Sequence, residues 1–362
     1  MVGCGISGAV LARKIAEELN QQVFVIDSRN HIGGNCFDYR DADSKILVQK
    51  YGPHIFHTDN APVWNFLSRF TKWHLYQHKV LGQIDGRLAP IPFNLNSLQM
   101  LLPDADKLEA RLIKTFGLNA NISVAKLRGA GDKDLADLAE YIYEKVFSGY
   151  TAKQWGISAA EINPVVLDRV PVRISRDARY FLDTYQGIPA AGYTDMISNI
   201  LNHKNIKVFL NTKFNKDMKY GRLFWTGSID EFFDCRLGIL PYRSERIEFA
   251  KLQRPQFQPA ACVNYPCDYS FTRITEYKQF LNDKSNYTII SYEYPGPFLR
   301  GRNQRMYPIE NEENLRLYAQ YVKLAQDYPN TWFLGRLGDY KYYDMDDACA
   351  RAMSVFEEIK GR

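Results

Sequence analysis

The chain opens on a glycine-rich stretch, Gly3-Cys4-Gly5-Ile6-Ser7-Gly8. Apolar residues at helical spacing follow from Ala9 to Asn20, and then the apolar run Val23-Phe24-Val25-Ile26, closed by Asp27. This pattern predicts a turn, a helix and a buried strand, in that order. Helical periodicity returns across 97–165, through Leu98, Leu101, Leu108 and Leu112 and later Leu135, Leu138, Ile142 and Val146, so a helical insert is expected there. Between 206 and 300 the apolar runs are short and strand-like (207–210, 222–225, 287–292) and are separated by Pro, Gly and Asn turns, which predicts a sheet domain. A last strand at 332–336 and a helix over 346–360 are expected to return the C-terminal segment to the opening domain.

The opening segment also carries chemistry. Gly3, Gly5 and Gly8 stand in the G-x-G-x-x-G spacing that brings a backbone turn close to a pyrophosphate at a helix N-terminus, and Asp27 stands where a carboxylate takes ribose hydroxyls. A second glycine pair, Gly33-Gly34 before Asn35, points to FAD rather than NAD.

Length and composition narrow the class. A chain of 362 residues exceeds what one hydrophobic core usually serves, so two or three domains are expected. With 46% hydrophobic and 24% charged residues it is an ordinary globular sequence. Its 24 Tyr suit sugar or nucleotide binding, although core packing accounts for most tyrosines. The net charge of +5 is spread along the chain with no long basic run, which favours a small anionic ligand over nucleic acid. The six Cys form no CxxC pair and no signal peptide precedes them, so reduced thiols in a cytoplasmic protein, with no metal site, are expected. No apolar run is long enough to span a bilayer.

Several further blocks carry a family likeness: 50–58 (KYGPHIFHT), 149–156 (GYTAKQWG), 169–173 (RVPVR), 185–189 (YQGIP), 242–244 (YRS), 272–274 (TRI), 292–295 (YEYP) and 340–345 (YKYYDM). Together and in this order they resemble bacterial UDP-galactopyranose mutases over essentially the whole chain. The resemblance implies an α/β fold: an FAD-binding Rossmann-like domain (1–75, 190–235, 325–362), a helical insert domain with a mobile loop (97–165) and an antiparallel β-sheet domain (76–96, 166–189, 236–324). It implies a reaction without net redox change that nonetheless needs reduced FAD, whose N5 attacks the anomeric carbon of UDP-galactose so that the six- and five-membered rings interconvert. NAD(P)H or another reductant for the flavin and a homodimer are expected with it.

The same resemblance assigns residues. Arg169 and Arg273 match the pair that grips the UDP diphosphate, a task suited to guanidinium forks. Trp155 falls on the mobile loop over the nucleotide, with Tyr150 and Thr151 near the uracil. Tyr180, Tyr307, Tyr342 and Asp344 match the diphosphate and sugar pocket, Asp344 being equally readable as a helix-start carboxylate before Met345. Arg243 and Glu293 line the cleft. His54 and His57 lie beside the flavin, where a histidine adjusts its electronics. Arg336 and Met345 contact FAD from the C-terminal segment, as Gly34 and Asn35 do from the second glycine turn.

The chain departs from the family pattern in three places. Only Met1 and Val2 precede the first glycine, so the central strand of the nucleotide sheet is expected to be nearly missing, with two inner strand edges left open. Gln77-His78 stands where many members have Thr-Asn, and Cys4 replaces a usual Ala or Ser. Two other readings stay open at this point, a flavin oxidoreductase of the amine-oxidase type and an inactive nucleotide-sugar-binding relic.

Overall fold

The computed structural model describes residues 1–156 and 170–361. They form two compact units, one made of Met1–Tyr76, Asp183–Ser244 and Pro297–Arg362 and the other of Gln77–Leu182 and Glu245–Gly296.

In the first unit the strand Val23–Ile26 pairs in parallel with Ile206–Phe209, and Leu223–Trp225 pairs in parallel with Thr331–Phe333. The segment Met1–Gly3 lies between these two pairs. Val2 bridges to both Ile26 and Trp225, and its N–H donates to Phe224 O at 2.7 Å while its carbonyl accepts from Thr226 N at 3.0 Å. On the other side Gly3 N donates to Ile26 O at 2.8 Å and Ile26 N to Met1 O at 3.0 Å. The inner edges expected to stand open are therefore joined, because a single residue suffices to pair its backbone in both directions.

The helix Ile6–Glu18 follows the glycine turn and buries Val10, Leu11, Ile15 and Ala16. The closing helix Met345–Lys360 buries Ala348, Ala352, Val355 and Phe356, and Ser7 Oγ donates to its Ala348 carbonyl at 3.4 Å. The C-terminal segment thus returns to the opening turn. A small antiparallel sheet of Phe56–Thr58, Tyr185–Pro189 and Trp73–Leu75 places His57 opposite Gln186. Trp225, Phe232, Phe233, Tyr242, Tyr321 and Tyr340 form a buried aromatic core, so these three tyrosines serve packing.

In the second unit the helices Leu95–Leu101, Ala105–Phe116, Val124–Arg128 and Lys133–Ile142 confirm the helical insert. Each of three of them is capped by a side chain that accepts backbone N–H groups: Asn94, Ser123 and Asp132. Lys133–Ile142 runs through a π turn, Tyr143–Ser148, straight into the helix Gly149–Trp155. The expected loop at Tyr150 to Trp155 is therefore helical. Beside the helices lie the strands Tyr242–Leu252 (from Glu245 on), Thr288–Pro297 (to Gly296), Arg273–Glu276, Cys262–Asn264, Val80–Ile84 and Arg87–Ile91, in that order across the sheet. Its neighbours are antiparallel at Cys262–Asn264 with Arg273–Glu276, at Arg273–Glu276 with Thr288–Pro297 and at the hairpin Val80–Ile84 with Arg87–Ile91. One pairing, Cys262–Asn264 with Val80–Ile84, is parallel.

Candidate active site

The glycine turn is built by backbone packed on backbone. A Cβ on Gly8 would sit 2.2 Å from Gly3 O, and one on Gly34, which has φ +56°, would sit 2.9 Å from Gly5 Cα. Gly33 N donates to Cys4 O at 2.9 Å, which locks the two glycine pairs together. Gly5 differs. The nearest neighbour to a Cβ there is 3.7 Å away, an ordinary contact, so a single methyl would fit, and its absence leaves the helix N-terminus open. Gly5 also caps that helix with no side-chain acceptor, so the first N–H groups remain available to an anion.

Asp27 braces this turn: Oδ2 accepts from Cys4 N at 2.8 Å and Oδ1 from Arg29 N at 2.9 Å. Each oxygen keeps further acceptor capacity for a ribose hydroxyl. Asn35 Oδ1 accepts from Arg29 Nη2 at 2.9 Å, while Arg29 Nη1 is buried without a hydrogen-bond partner among the described residues. An open helix N-terminus, a carboxylate at the end of the strand Val23–Ile26 and an unsatisfied buried guanidinium nitrogen on Arg29 fit a dinucleotide such as FAD.

His54 is held by Gln49, whose Oε1 accepts from His54 N at 2.6 Å and whose Nε2 donates to His54 O at 3.0 Å. His54 Nδ1 lies 2.8 Å from Gly52 O, which can only accept, so that nitrogen carries the proton. His57 Nδ1 lies 3.2 Å from Asp183 Oδ2.

Arg336 is pinned by carbonyls. Its Nη2 and Nε donate to Tyr343 O at 2.6 and 3.1 Å, and Nη1 donates to Met306 O at 3.4 Å. The guanidinium lies 5.1 Å from the ring centre of Tyr307 and 5.6 Å from that of Tyr342, and these two rings stack on each other at 5.7 Å. Arg243 is buried and pairs backbone to backbone with Tyr307. Asp344 precedes Met345 at the N-cap of the closing helix, its N–H donating to Asp347 Oδ2 at 3.3 Å. Burial pushes its carboxyl up from the ordinary value, and the charges of His57 and Arg336 oppose that push. Asp347 and Asp346 beside it add to the rise. His57, Arg336, Asp344, Tyr307 and Tyr342 thus gather in the first unit.

In the second unit Arg273 and Glu293 sit opposite each other on neighbouring strands. Arg273 Nε and Nη2 donate to Glu293 Oε2 at 3.0 and 2.6 Å, and Thr275 Oγ1 donates to Glu293 Oε1 at 2.9 Å. Burial works against the Arg273 cation, but Glu293 and Tyr150 hold it firmly charged. Burial pushes the Tyr150 hydroxyl well up, with Arg273 pulling it back and Tyr180 and Glu293 adding to the rise, so these four residues converge. Thr151 is buried beside them and Trp155, half-buried, ends the helix Gly149–Trp155. Arg169 lies outside the described residues. His78 is buried with its ring edge-on to Tyr180 at 5.7 Å, and its carbonyl accepts from Tyr180 N at 2.6 Å.

Residues 145–342 match the family model described as GLF, UDP-galactopyranose mutase. The chain belongs to that family. Residues 1–70 match a model described as NAD(P)-binding Rossmann-like domain. The chain is 35% identical to the probable UDP-galactopyranose mutase of Klebsiella pneumoniae, covering 99% of its own length and 94% of that relative. It is also 35% identical to the dTDP-fucopyranose mutase of Escherichia coli, covering 96% and 94%. Its fold matches the crystal structure of reduced UDP-galactopyranose mutase with a TM-score of 0.73 at 13% identity, over 99% of this chain and 93% of that one.

In this mutase-family chain three supporting residues escaped the sequence. Gln49 holds His54 by two hydrogen bonds, and Asp183 Oδ2 lies 3.2 Å from His57 Nδ1. Arg173, the other arginine of the 169–173 block, is buried and donates to Tyr180 O at 2.9 Å and to Arg179 O, fixing the turn that carries Tyr180. Arg173 could have been singled out from that block, whereas Gln49 and Asp183 carry no local signal.

Proposed function

We propose that the chain interconverts UDP-galactopyranose and UDP-galactofuranose, with FAD held on the glycine turns of the first unit and the UDP diphosphate held by Arg273. FAD, when bound and reduced, supplies a nucleophilic nitrogen for the anomeric carbon, so the ring is rearranged without net oxidation. The observation that carries this reading is the Arg273 environment. A guanidinium on a sheet strand is aimed by a buried carboxylate through Nε and Nη2, and no described residue engages its Nη1.

With Tyr150 and Tyr180 beside it, this edge suits a diphosphate oxygen and stabilises the UDP leaving group as charge develops. Arg169 is assigned the second grip on the diphosphate, Thr151 and Trp155 the uracil side, and Tyr307, Tyr342, Arg243 and Asp344 the sugar side. His54, His57, Asn35, Arg336 and Met345 are assigned to the flavin. Glu293 serves to aim Arg273 rather than to touch the sugar. A homodimer, NAD(P)H as the flavin's reductant and a cytoplasmic setting belong to the same proposal. No helix among the described residues is long and apolar enough to cross a membrane.

The similarity to a dTDP-fucopyranose mutase makes the sugar nucleotide the point to test. UDP-galactopyranose and dTDP-fucopyranose are offered separately to the reduced enzyme and the products separated by chromatography. A kcat/KM at least tenfold higher for UDP-galactopyranose supports the proposal; the reverse preference overturns it.

A further inference from the structure

A buried ionic network lies behind the site of the first unit and the mechanism does not use it. Asp230 is fully buried, and Ser228 Oγ donates to its Oδ1. Its Oδ2 accepts from Leu240 N at 3.0 Å and from Arg305 Nη2 at 3.2 Å. Arg305 also donates through Nη1 to Glu231, and its guanidinium lies 4.2 Å from the Phe298 ring centre and 5.6 Å from that of Tyr242. Tyr242 Oη is 3.0 Å from Ser228 Oγ and donates to Leu337 O at 3.2 Å.

Charges buried this deeply are weak evidence of stabilisation, because apolar residues of the same volume often serve as well, whereas fixing one geometry is a use attested for such pairs. What the network fixes is legible in the chain. Tyr242 precedes Arg243, Arg305 is two residues before Tyr307, and Leu337 follows Arg336. Met306, between Arg305 and Tyr307, donates its N–H to Arg243 O at 3.0 Å and accepts Arg336 Nη1 at 3.4 Å. Three chain segments that present ligand-contacting side chains are thus tied to one another by Asp230, Arg305 and Tyr242.

We propose that Asp230 and Arg305 are positioning residues that hold Arg243, Tyr307 and Arg336 in register, so that flavin binding and sugar-nucleotide binding depend together on a pair that touches neither ligand. This rests on the assignment of those three residues to ligand contact made above.

The test uses the full chain as an Asp230→Leu, Arg305→Met double variant, which fills the volume without charge, and an Arg305→Lys single variant, which keeps the charge but cannot reach Asp230 and Glu231 as a fork. Melting temperature, the Kd of the apoprotein for FAD, and KM and kcat for UDP-galactopyranose with saturating reduced FAD are measured. Both variants are expected to raise the FAD Kd and the KM by about tenfold or more, with kcat within about threefold. If the double variant melts far below the parent, Arg305→Lys at low temperature decides on the same criteria. FAD Kd and KM both within about twofold of the parent, in a variant that melts with the parent, overturn the proposal. A parent that binds FAD without turning over UDP-galactopyranose overturns the proposed function instead, and the FAD Kd then decides the positioning role alone.

Discussion

Arg273 and Glu293 face each other across two antiparallel strands, with Arg273 Nη2 donating to Glu293 Oε2 at 2.6 Å and the Glu293 side chain only 1% exposed. The carboxylate is buried and accepts from Arg273 and from Thr275 Oγ1, which fits the proposed role of aiming the arginine.

Removing each partner should have different consequences. Arg273→Ala is expected to lower kcat by about 100- to 1000-fold, the usual cost of one preorganised donor to a developing anion. Arg273→Ala also strands the buried Glu293 carboxylate with Thr275 Oγ1 as its remaining side-chain donor, so it too is expected to cost stability. Glu293→Ala leaves a mostly buried guanidinium without its counter-ion and should cost about 3 kcal/mol of stability, the lower end for a broken buried pair because Arg273 keeps some exposure. Chemical denaturation and steady-state kinetics on both variants check this. Parent-like activity in Arg273→Ala would remove the arginine from the diphosphate site.

Gly8→Ala should abolish flavin retention. Its methyl would sit 2.2 Å from Gly3 O, backbone against backbone, so the turn must open. Gly221→Ala meets nothing within 4 Å and serves as the control. Flavin absorbance per chain after gel filtration reads both. An unchanged ratio in Gly8→Ala would show that the turn is not the FAD cradle.

The pH dependence of stability follows from Asp344. Burial raises its folded pKa above the ordinary 3.8, so the folded state binds this proton more tightly than the unfolded chain does. The stability it contributes is then largest below about pH 4 and declines as pH rises through the interval up to the raised folded value. Asp344→Asn should flatten the fall of melting temperature over that interval. An identical pH profile in parent and variant would place the shift elsewhere.

What could be read in the sequence was what depends on near neighbours. The first glycine turn, the helix after it and Asp27 at the strand end were legible because their spacing is local. The segment 149–156, expected as a mobile loop from the family resemblance, is a helix with a glycine at each end. Gly149 is required because a Cβ would meet Pro266 O at 2.3 Å, and Gly156, with φ +69° and ψ +24°, ends the helix in the left-handed conformation. Two elements with clear local signals went unread. One is the hairpin turned by Asp85-Gly86, both at positive φ. The other is the helix Glu312–Ala325, capped by Asn311 with two glutamates in its first turn. The pairing of Arg273 with Glu293 could not be read at all, since strand register is a tertiary property.

The central claim is that this chain rearranges a sugar ring with reduced flavin and no net oxidation. The FAD-loaded protein is assayed anaerobically with UDP-galactofuranose, before and after dithionite, and UDP-galactopyranose is quantified by chromatography. The account predicts turnover after reduction and essentially none before it, with the flavin still reduced when the sugar has reached equilibrium. Equal rates with oxidised FAD, or flavin oxidised in step with product, would contradict it.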